Sequence, residues 1–344
     1  MNDSFLRACR REPTEFTPIW IMRQAGRYLP EYRALREKYS FLELCRTPAA
    51  ALEVTLQPLE RFPLDAAIIF ADILLPLEGM GVEFGFDQDD GPCIGSPVRR
   101  PADVDRIRVI EAEEATPYLF EAIRQARAAL QDRVPLIGFA GAPFTLASYM
   151  IEGGHSRNYE HTKAMFYAEP KTWTKLMEKL VEVLRRYLLA QVAAGAQAVQ
   201  LFDSWVGCLS PRDYAEFVAP HVNALIAQLA EARVPVIHFA TDATSLLPLI
   251  KDSGAAVYGV DWRIELDRAW QIIGHDRALQ GNLDPAVLLA PPSIIESRAR
   301  DVLQRAGGRP GHIFNLGHGI WPNAPIENVA FLVETVHRLS RRSA

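Results

Sequence analysis

Two arginines four residues apart open the chemistry of this chain. Arg23 and Arg27 flank Ala25-Gly26 in "RQAGR", directly after the apolar run "PIWIM" at 18–22. Guanidinium is the group that forks onto carboxylate through two parallel hydrogen bonds. Two on one short loop suit a ligand with several carboxylates. The same spacing also suits a surface loop with salt bridges to Glu31 and Glu37 of "PEYRALREKY".

A single acid, Asp72, ends the run "AAIIFA" at 66–71. An ionised carboxylate in an apolar setting is costly without a partner. The partner could be the backbone, with Asp72 capping a short helix in "ILLPLEG", or it could be a ligand. His318 stands between Gly317 and Gly319, as a loop histidine or as a group placed for use. Tyr149 and Ser204 could each satisfy a local backbone group. Trp20, Phe41, Phe144 and Phe202 are types that more often fill a core than line a ligand site.

The elements that must position these residues are visible as an alternation. Short apolar runs occur at 18–22, 66–70, 134–140, 196–202, 234–240, 255–262, 277–281 and 312–317. Several are continuously apolar, as strands buried on both faces should be. Helical patterns lie between them. In 170–192, Trp173, Leu176, Met177, Leu180, Leu184, Tyr187, Leu188 and Val192 recur at three and four residues, one stripe of a helix. Ser210 and Pro211 read as N-cap and first helical residue of 211–232, and Pro325 as the start of a last helix over about 325–340.

This order predicts an α/β fold, a single (β/α)8 TIM-type barrel over 1–344. The main rival is an open doubly wound sheet, but no G-x-G-x-x-G follows the first strand. The stretch 81–115, with "GFDQDDGPCIGSPVRRP", reads as a long solvated excursion between the second and third strands. In such barrels the site lies at the C-terminal strand ends. Those ends carry, in order, Arg23 to Arg27, Asp72, Tyr149, Asp203 and Ser204, "ATDA", Asp261, Asn282 and Asp284, and His318. Polar groups from distant segments are therefore expected at one mouth.

Composition limits the partners. Among 344 residues, Lys and Arg total 37 against 42 for Asp and Glu, a net charge of −5. Such a chain has no global attraction for nucleic acid, so any anion site must be a local cluster of arginines. Cys9, Cys45, Cys93 and Cys208 form no C-x-x-C pair, which signals neither a disulfide framework nor a zinc knuckle. The N-terminus "MNDSFLRACRREP" lacks an apolar signal core, and no run approaches the ~20 apolar residues of a membrane span. The expectation is a protein of the reducing cytoplasm, away from membranes.

The segment "PIWIMRQAGRYLPEYR" resembles the N-terminal signature of the uroporphyrinogen decarboxylase family, and "GAPFTLASYMIEGGHS" resembles its second. "IIFADIL", "VQLFDSW", "GVDW", "LQGNLDP" and "NLGHGI" are similar in the same order, so the resemblance spans about residues 4 to 339. It implies a single barrel, usually a homodimer. It also implies removal of CO2 from the four acetate arms of uroporphyrinogen III, giving coproporphyrinogen III, without cofactor or metal. The implied substrate-site residues are Arg23, Gln24, Ala25, Gly26, Arg27, Phe41, Asp72, Tyr149, Ser204 and His318, with Asp72, Arg23 and Arg27 closest to the chemistry. One departure is "FDSWVG", where many members would have Glu before the Ser.

Two other functions compete. Zinc methyltransferases of the same broad superfamily use an H-x-C pair after a middle strand, because a thiolate substrate is activated on a thiolate-rich metal. Here "VIHFATDA" offers His238, with Ala240 where the Cys would stand. A non-catalytic tetrapyrrole carrier would keep the same arginines.

Overall fold

The computed structural model describes residues 2–87 and 91–342. Seven parallel strands form one curved sheet: β1 Ala67–Ile68, β4 Leu136–Gly141, β5 Ala198–Asp203, β6 Val236–Ala240, β7 Val257–Gly259, β8 Ala278–Gln280 and β9 His312–Ile313, paired in that order. Representative registers are Ala67↔Leu136, Ile137↔Ala198, Val199↔Val236, Ile237↔Val257, Val257↔Ala278 and Leu279↔His312.

The eighth stave is the segment 18–20. On one side, Phe314 N–H donates to the Pro18 carbonyl at 2.8 Å and Trp20 N–H to the Phe314 carbonyl at 3.4 Å. On the other, Asp65 N–H donates to the Ile19 carbonyl at 2.9 Å, and Ile19 N–H to Asp65 Oδ2 at 2.7 Å. An aspartate side chain thus supplies an acceptor where the sheet ladder is thin, and the barrel closes. All eight apolar runs become staves, as a sheet buried on both faces requires.

Asp65 also ties down both ends of the chain. It is buried, and it accepts from Asn2 Nδ2 at 2.6 Å and from His337 Nε2, in the tautomer protonated there, at 2.8 Å. Asp65→Ala removes three acceptor contacts and leaves the Ile19 N–H buried without a partner. It should cost about 3 kcal/mol in urea unfolding. A change below about 1 kcal/mol would mean that the closure does not depend on this carboxylate.

The barrel interior is filled rather than open. At the bottom, the helix Ser4–Cys9 presents Phe5, Leu6, Ala8 and Cys9 to Trp20, Ile68, Ile137, Ile237, Val257 and Ile313. Above them runs a polar string. Trp20 Nε1–H donates to Gln280 Oε1 at 2.9 Å, and Gln280 Nε2–H donates to Gln200 Oε1 at 3.0 Å. Buried polar groups require such partners. Phe139, Phe202 and Phe239 follow toward the C-terminal strand ends, edge to face with centroids 5.5 and 5.9 Å apart.

The helix Pro170–Ala194 buries the stripe read from the sequence, Val192 being only partly covered. Ser210 accepts from Asp213 N–H at 3.1 Å, as a cap should. The helix that follows is broken, however, by a π turn over Tyr214–Val218. Pro220 has no N–H to offer the carbonyl four residues back, so the register slips there. Pro325 is the cap of the helix Ile326–Ser340 rather than its first residue.

The excursion after the second stave is not the solvated loop expected for 81–115. It holds the antiparallel pair β2 Phe84–Asp87 and β3 Gly91–Ile94 and the helices Pro101–Arg106 and Ala112–Ala115. Val82, Ile94, Val98, Val104, Ile107 and Ala112 are buried. Apolar residues spaced through a Gly- and Asp-rich segment have folded it onto the barrel.

Candidate active site

The mouth forms at the C-terminal ends of the staves. The first loop is held by two amides. Gln24 is fully buried; its Oε1 accepts from Ile21 N–H at 3.1 Å and its Nε2 donates to the Ala66 carbonyl at 3.1 Å. Asn315 Oδ1 accepts from Met22 N–H at 3.0 Å. Between these anchors Arg23 takes a left-handed backbone, φ 61°. Such conformations persist where the surroundings fix them. Ala25 packs against the core, and a Cβ on Gly26 would lie 2.9 Å from the Arg23 carbonyl oxygen. Gln24 therefore braces the loop with its side chain, while Ala25 and Gly26 contribute backbone.

Arg23 and Arg27 are exposed and hold no carboxylate partner among the described residues. The alternative pairing is filled otherwise: Glu31 pairs with Arg61. Two guanidiniums unpaired among the described residues, on the loop after the first stave, leave their charge available to a ligand.

Asp72 follows β1. Its Oδ1 accepts from Leu74 N–H at 2.8 Å, closing a turn ahead of the helix Pro76–Met80. The capping alternative is thus half realised, with one oxygen used. The carboxylate keeps some access to water but is ringed by protein. Burial pushes its pKa up to about 6, against the opposing pull of the Leu74 N–H and the Arg23 charge. At neutral pH it is an anion held at a cost.

Tyr149 lies on the helix Pro143–Glu152, 7% exposed, with its ring edge-on to Trp205 at 5.9 Å. Burial first, and the Asp72 charge second, push its hydroxyl up to about 12. It is a neutral hydroxyl that feels the charge of that carboxylate. His318, mostly covered, has its pKa lowered by burial and then by Arg23, so its ring is neutral near pH 7. The Arg23 charge therefore reaches Asp72, Tyr149 and His318 alike, and the Asp72 charge reaches Tyr149.

Ser204 is fixed through its backbone. Its N–H donates to Thr145 Oγ1 at 2.9 Å, and its carbonyl accepts from Thr241 Oγ1 at 2.6 Å. Phe41 forms a separate wall, edge-on to Phe70 at 5.8 Å and Phe86 at 4.8 Å, with the Arg36 guanidinium 5.8 Å from its ring centre. The Arg27 charge is felt at Tyr32 rather than at Asp72, Tyr149 or His318. Partly exposed Phe139 and Phe202 add an aromatic floor.

Sequence reasoning missed Thr145, Trp205, Asn315 and Arg36. Thr145 and Asn315 sit inside segments already singled out, but only coordinates reveal which backbone donor each must satisfy. His238 is fully buried, with Asp203 Oδ2 3.5 Å from Nε2 and Ser253 Oγ 3.4 Å from Nδ1. That ring is engaged by neighbours, and Ala240 brings no thiolate beside it.

Fold and mouth together define a (β/α)8-barrel enzyme with an acid and arginines at its C-terminal rim. A family model described as uroporphyrinogen decarboxylase matches residues 1–339. A protein named uroporphyrinogen decarboxylase from Carboxydothermus hydrogenoformans is 58% identical over 343 residues, covering 100% of this chain and 98% of its own length. Another of that name from Sorangium cellulosum is also 58% identical over 343 residues, with the same coverage. Among solved structures, a methyltransferase from Methanosarcina mazei matches with a TM-score of 0.82 at 21% identity, over 98% of both chains, which speaks for the fold alone. The chain belongs to the uroporphyrinogen decarboxylase family and is a carboxy-lyase.

Proposed function

We propose that the mouth takes uroporphyrinogen III and removes CO2 from its four acetate arms, giving coproporphyrinogen III. Asp72 accepts hydrogen bonds from the inward-pointing pyrrole N–H groups, and those donors offset its desolvation. Arg23 and Arg27 grip the outward carboxylates and set which acetate faces the reacting centre. Tyr149, Ser204 and His318 orient the ring and its arms, and Phe41 walls one side.

Loss of CO2 needs somewhere for two electrons to go. Protonation of the adjacent pyrrole carbon makes a cationic ring that accepts the pair from the breaking C–C bond. A second proton, added to the resulting exocyclic methylene carbon, makes the methyl group and leaves the ring cationic once more. The first proton returns to solvent as the ring rearomatises, so each arm consumes one proton and releases one CO2. The ring serves as its own electron sink, a task cofactors perform in other decarboxylases. The fixed negative charge of Asp72 stabilises the cation.

The observation that carries this reading is an acid at a barrel mouth with one oxygen on a backbone N–H, within the field of an arginine that holds no carboxylate among the described residues. A carrier would bind the same macrocycle without turnover. An anaerobic assay with the reduced substrate, with products separated by carboxylate number, distinguishes the two. Stepwise loss of four carboxylates is expected; unchanged octa-acid would refute the reading.

The same proposal has the enzyme working in the cytoplasm as a homodimer. None of the described helices is long and apolar enough to cross a membrane, and the four cysteines are free thiols. Light scattering on the purified protein checks the dimer.

A further inference from the structure

The two glycines around His318 have different neighbours, and both neighbours belong to the mouth. A Cβ on Gly319 would fall 2.4 Å from Arg23 Cδ, 2.8 Å from Cγ and 2.9 Å from Nε. A Cβ on Gly317 would fall 2.5 Å from the Trp262 backbone nitrogen. The strip 317–319 is therefore clasped between the Arg23 side chain and the turn 261–263.

That turn is fastened from below. Asp261, 2% exposed, accepts from Asp242 N–H at 2.7 Å, Arg263 N–H at 3.0 Å and Arg263 Nη1 at 2.9 Å. Arg263 also pairs with Asp242 at 2.6 Å, and its guanidinium lies 4.2 Å from the Trp262 ring centre. Trp262 in turn meets the His318 ring edge-on at 6.4 Å. One side of the strip is rigid. The other is the aliphatic stem of Arg23, whose guanidinium makes no ion pair among the described residues.

We propose that Gly319 is a positioning residue for Arg23: its bare Cα is the groove in which the arginine stem lies, and this contact aims the guanidinium into the mouth. The proposal rests on the reading that Arg23 grips a substrate carboxylate. It differs from a folding role because the atoms that a Cβ would strike are those of a flexible side chain. The chain can accommodate a methyl group there by releasing Arg23, which moves the charge and leaves the backbone in place.

The test is a double-mutant cycle on kcat/KM for uroporphyrinogen III, with thermal melts alongside. Gly319→Ala should keep the melting temperature and lose about 10²-fold, the scale of a misplaced substrate contact. In an Arg23→Ala background the same substitution should cost nothing further, because the stem it displaces is gone. Additive losses, or an undiminished Gly319→Ala enzyme, would overturn the proposal. If Gly319→Ala does not fold, recovery of folded protein in the double variant reports the same contact; failure of both variants to fold overturns it. An Arg23→Ala enzyme with unchanged kcat/KM would instead refute the carboxylate grip on which the proposal rests.

Discussion

Asp72→Asn is expected to fold and to lose about 10³-fold in kcat/KM, the scale seen when one group stabilising transition-state charge is removed. Asparagine keeps an oxygen for the Leu74 N–H at 2.8 Å, so the local turn survives. The full negative charge is lost, and with it the counter-charge to the protonated pyrrole. An amide NH2 also opposes pyrrole N–H donors where a carboxylate accepted them.

The stability effect has the opposite sign. Burial raises the Asp72 pKa to about 6 in the folded protein, above its ordinary carboxylate value. A group raised in this way favours the fold while it is protonated. That contribution is full below about pH 4 and is lost as pH rises through about 6. The asparagine variant does not suffer this loss. It should therefore be more stable than the parent at pH 7 by about 1–2 kcal/mol, discounted for the water that reaches the carboxylate. The difference should shrink toward zero near pH 4. Activity of the parent should follow the ionised form, with the acid limb of kcat/KM near pH 6. Melts at both pH values and anaerobic kinetics check all three. Near-normal turnover by a folded Asp72→Asn protein contradicts the role.

Arg23→Ala should cost about 10²-fold in kcat/KM, the worth of a charge-assisted contact to carboxylate together with lost orientation. Arg23 is the arginine whose charge reaches Asp72, Tyr149 and His318 together. It lowers the Asp72 and His318 pKa values, so its removal should raise both. The acid limb of the variant should consequently move to higher pH than that of the parent. Arg27→Ala, at a residue whose charge does not bear on Asp72 or His318, should act mainly on KM for the octa-acid and leave that limb in place. A limb that moves with Arg27 and not with Arg23 would reverse the two assignments.

Much of the fold was legible because parallel staves are buried on both faces. Runs such as "VPLIGFA" and "VPVIHFA" have no polar face to confuse with a helix, and each becomes a strand. The polar residue ending each run then marks the mouth. The excursion was illegible for the converse reason. Phe84 and Phe86 alternate with small and charged residues over only four positions, too few to separate a hairpin from a loop. The π turn at Tyr214–Val218 depends on a proline two residues beyond it, inside what reads as continuous helix.

Within the site, charge was readable and bracing was not. Asp72, Arg23 and His318 stand out because ionisable groups at the end of apolar runs need a reason. Gln24 reads as one more polar group in "RQAGR", yet its amide is turned inward to the Ile21 and Ala66 backbone. Thr145 looks like a helix residue, and only the fold reveals that Ser204 N–H depends on it. Such bonds join residues 42 and 59 positions apart, which no local pattern encodes.

The sharpest measurement is the pKa of Asp72 itself, from carboxyl 13C NMR of aspartate-labelled protein, assigned by its disappearance in Asp72→Asn. The titration is run on the empty protein and again, under anaerobic conditions, with coproporphyrinogen III bound. If pyrrole N–H groups converge on this carboxylate, its pKa should fall from about 6 to below the ordinary carboxylate range when the macrocycle enters. A value that stays put or climbs on binding would mean that the ring's donors lie elsewhere.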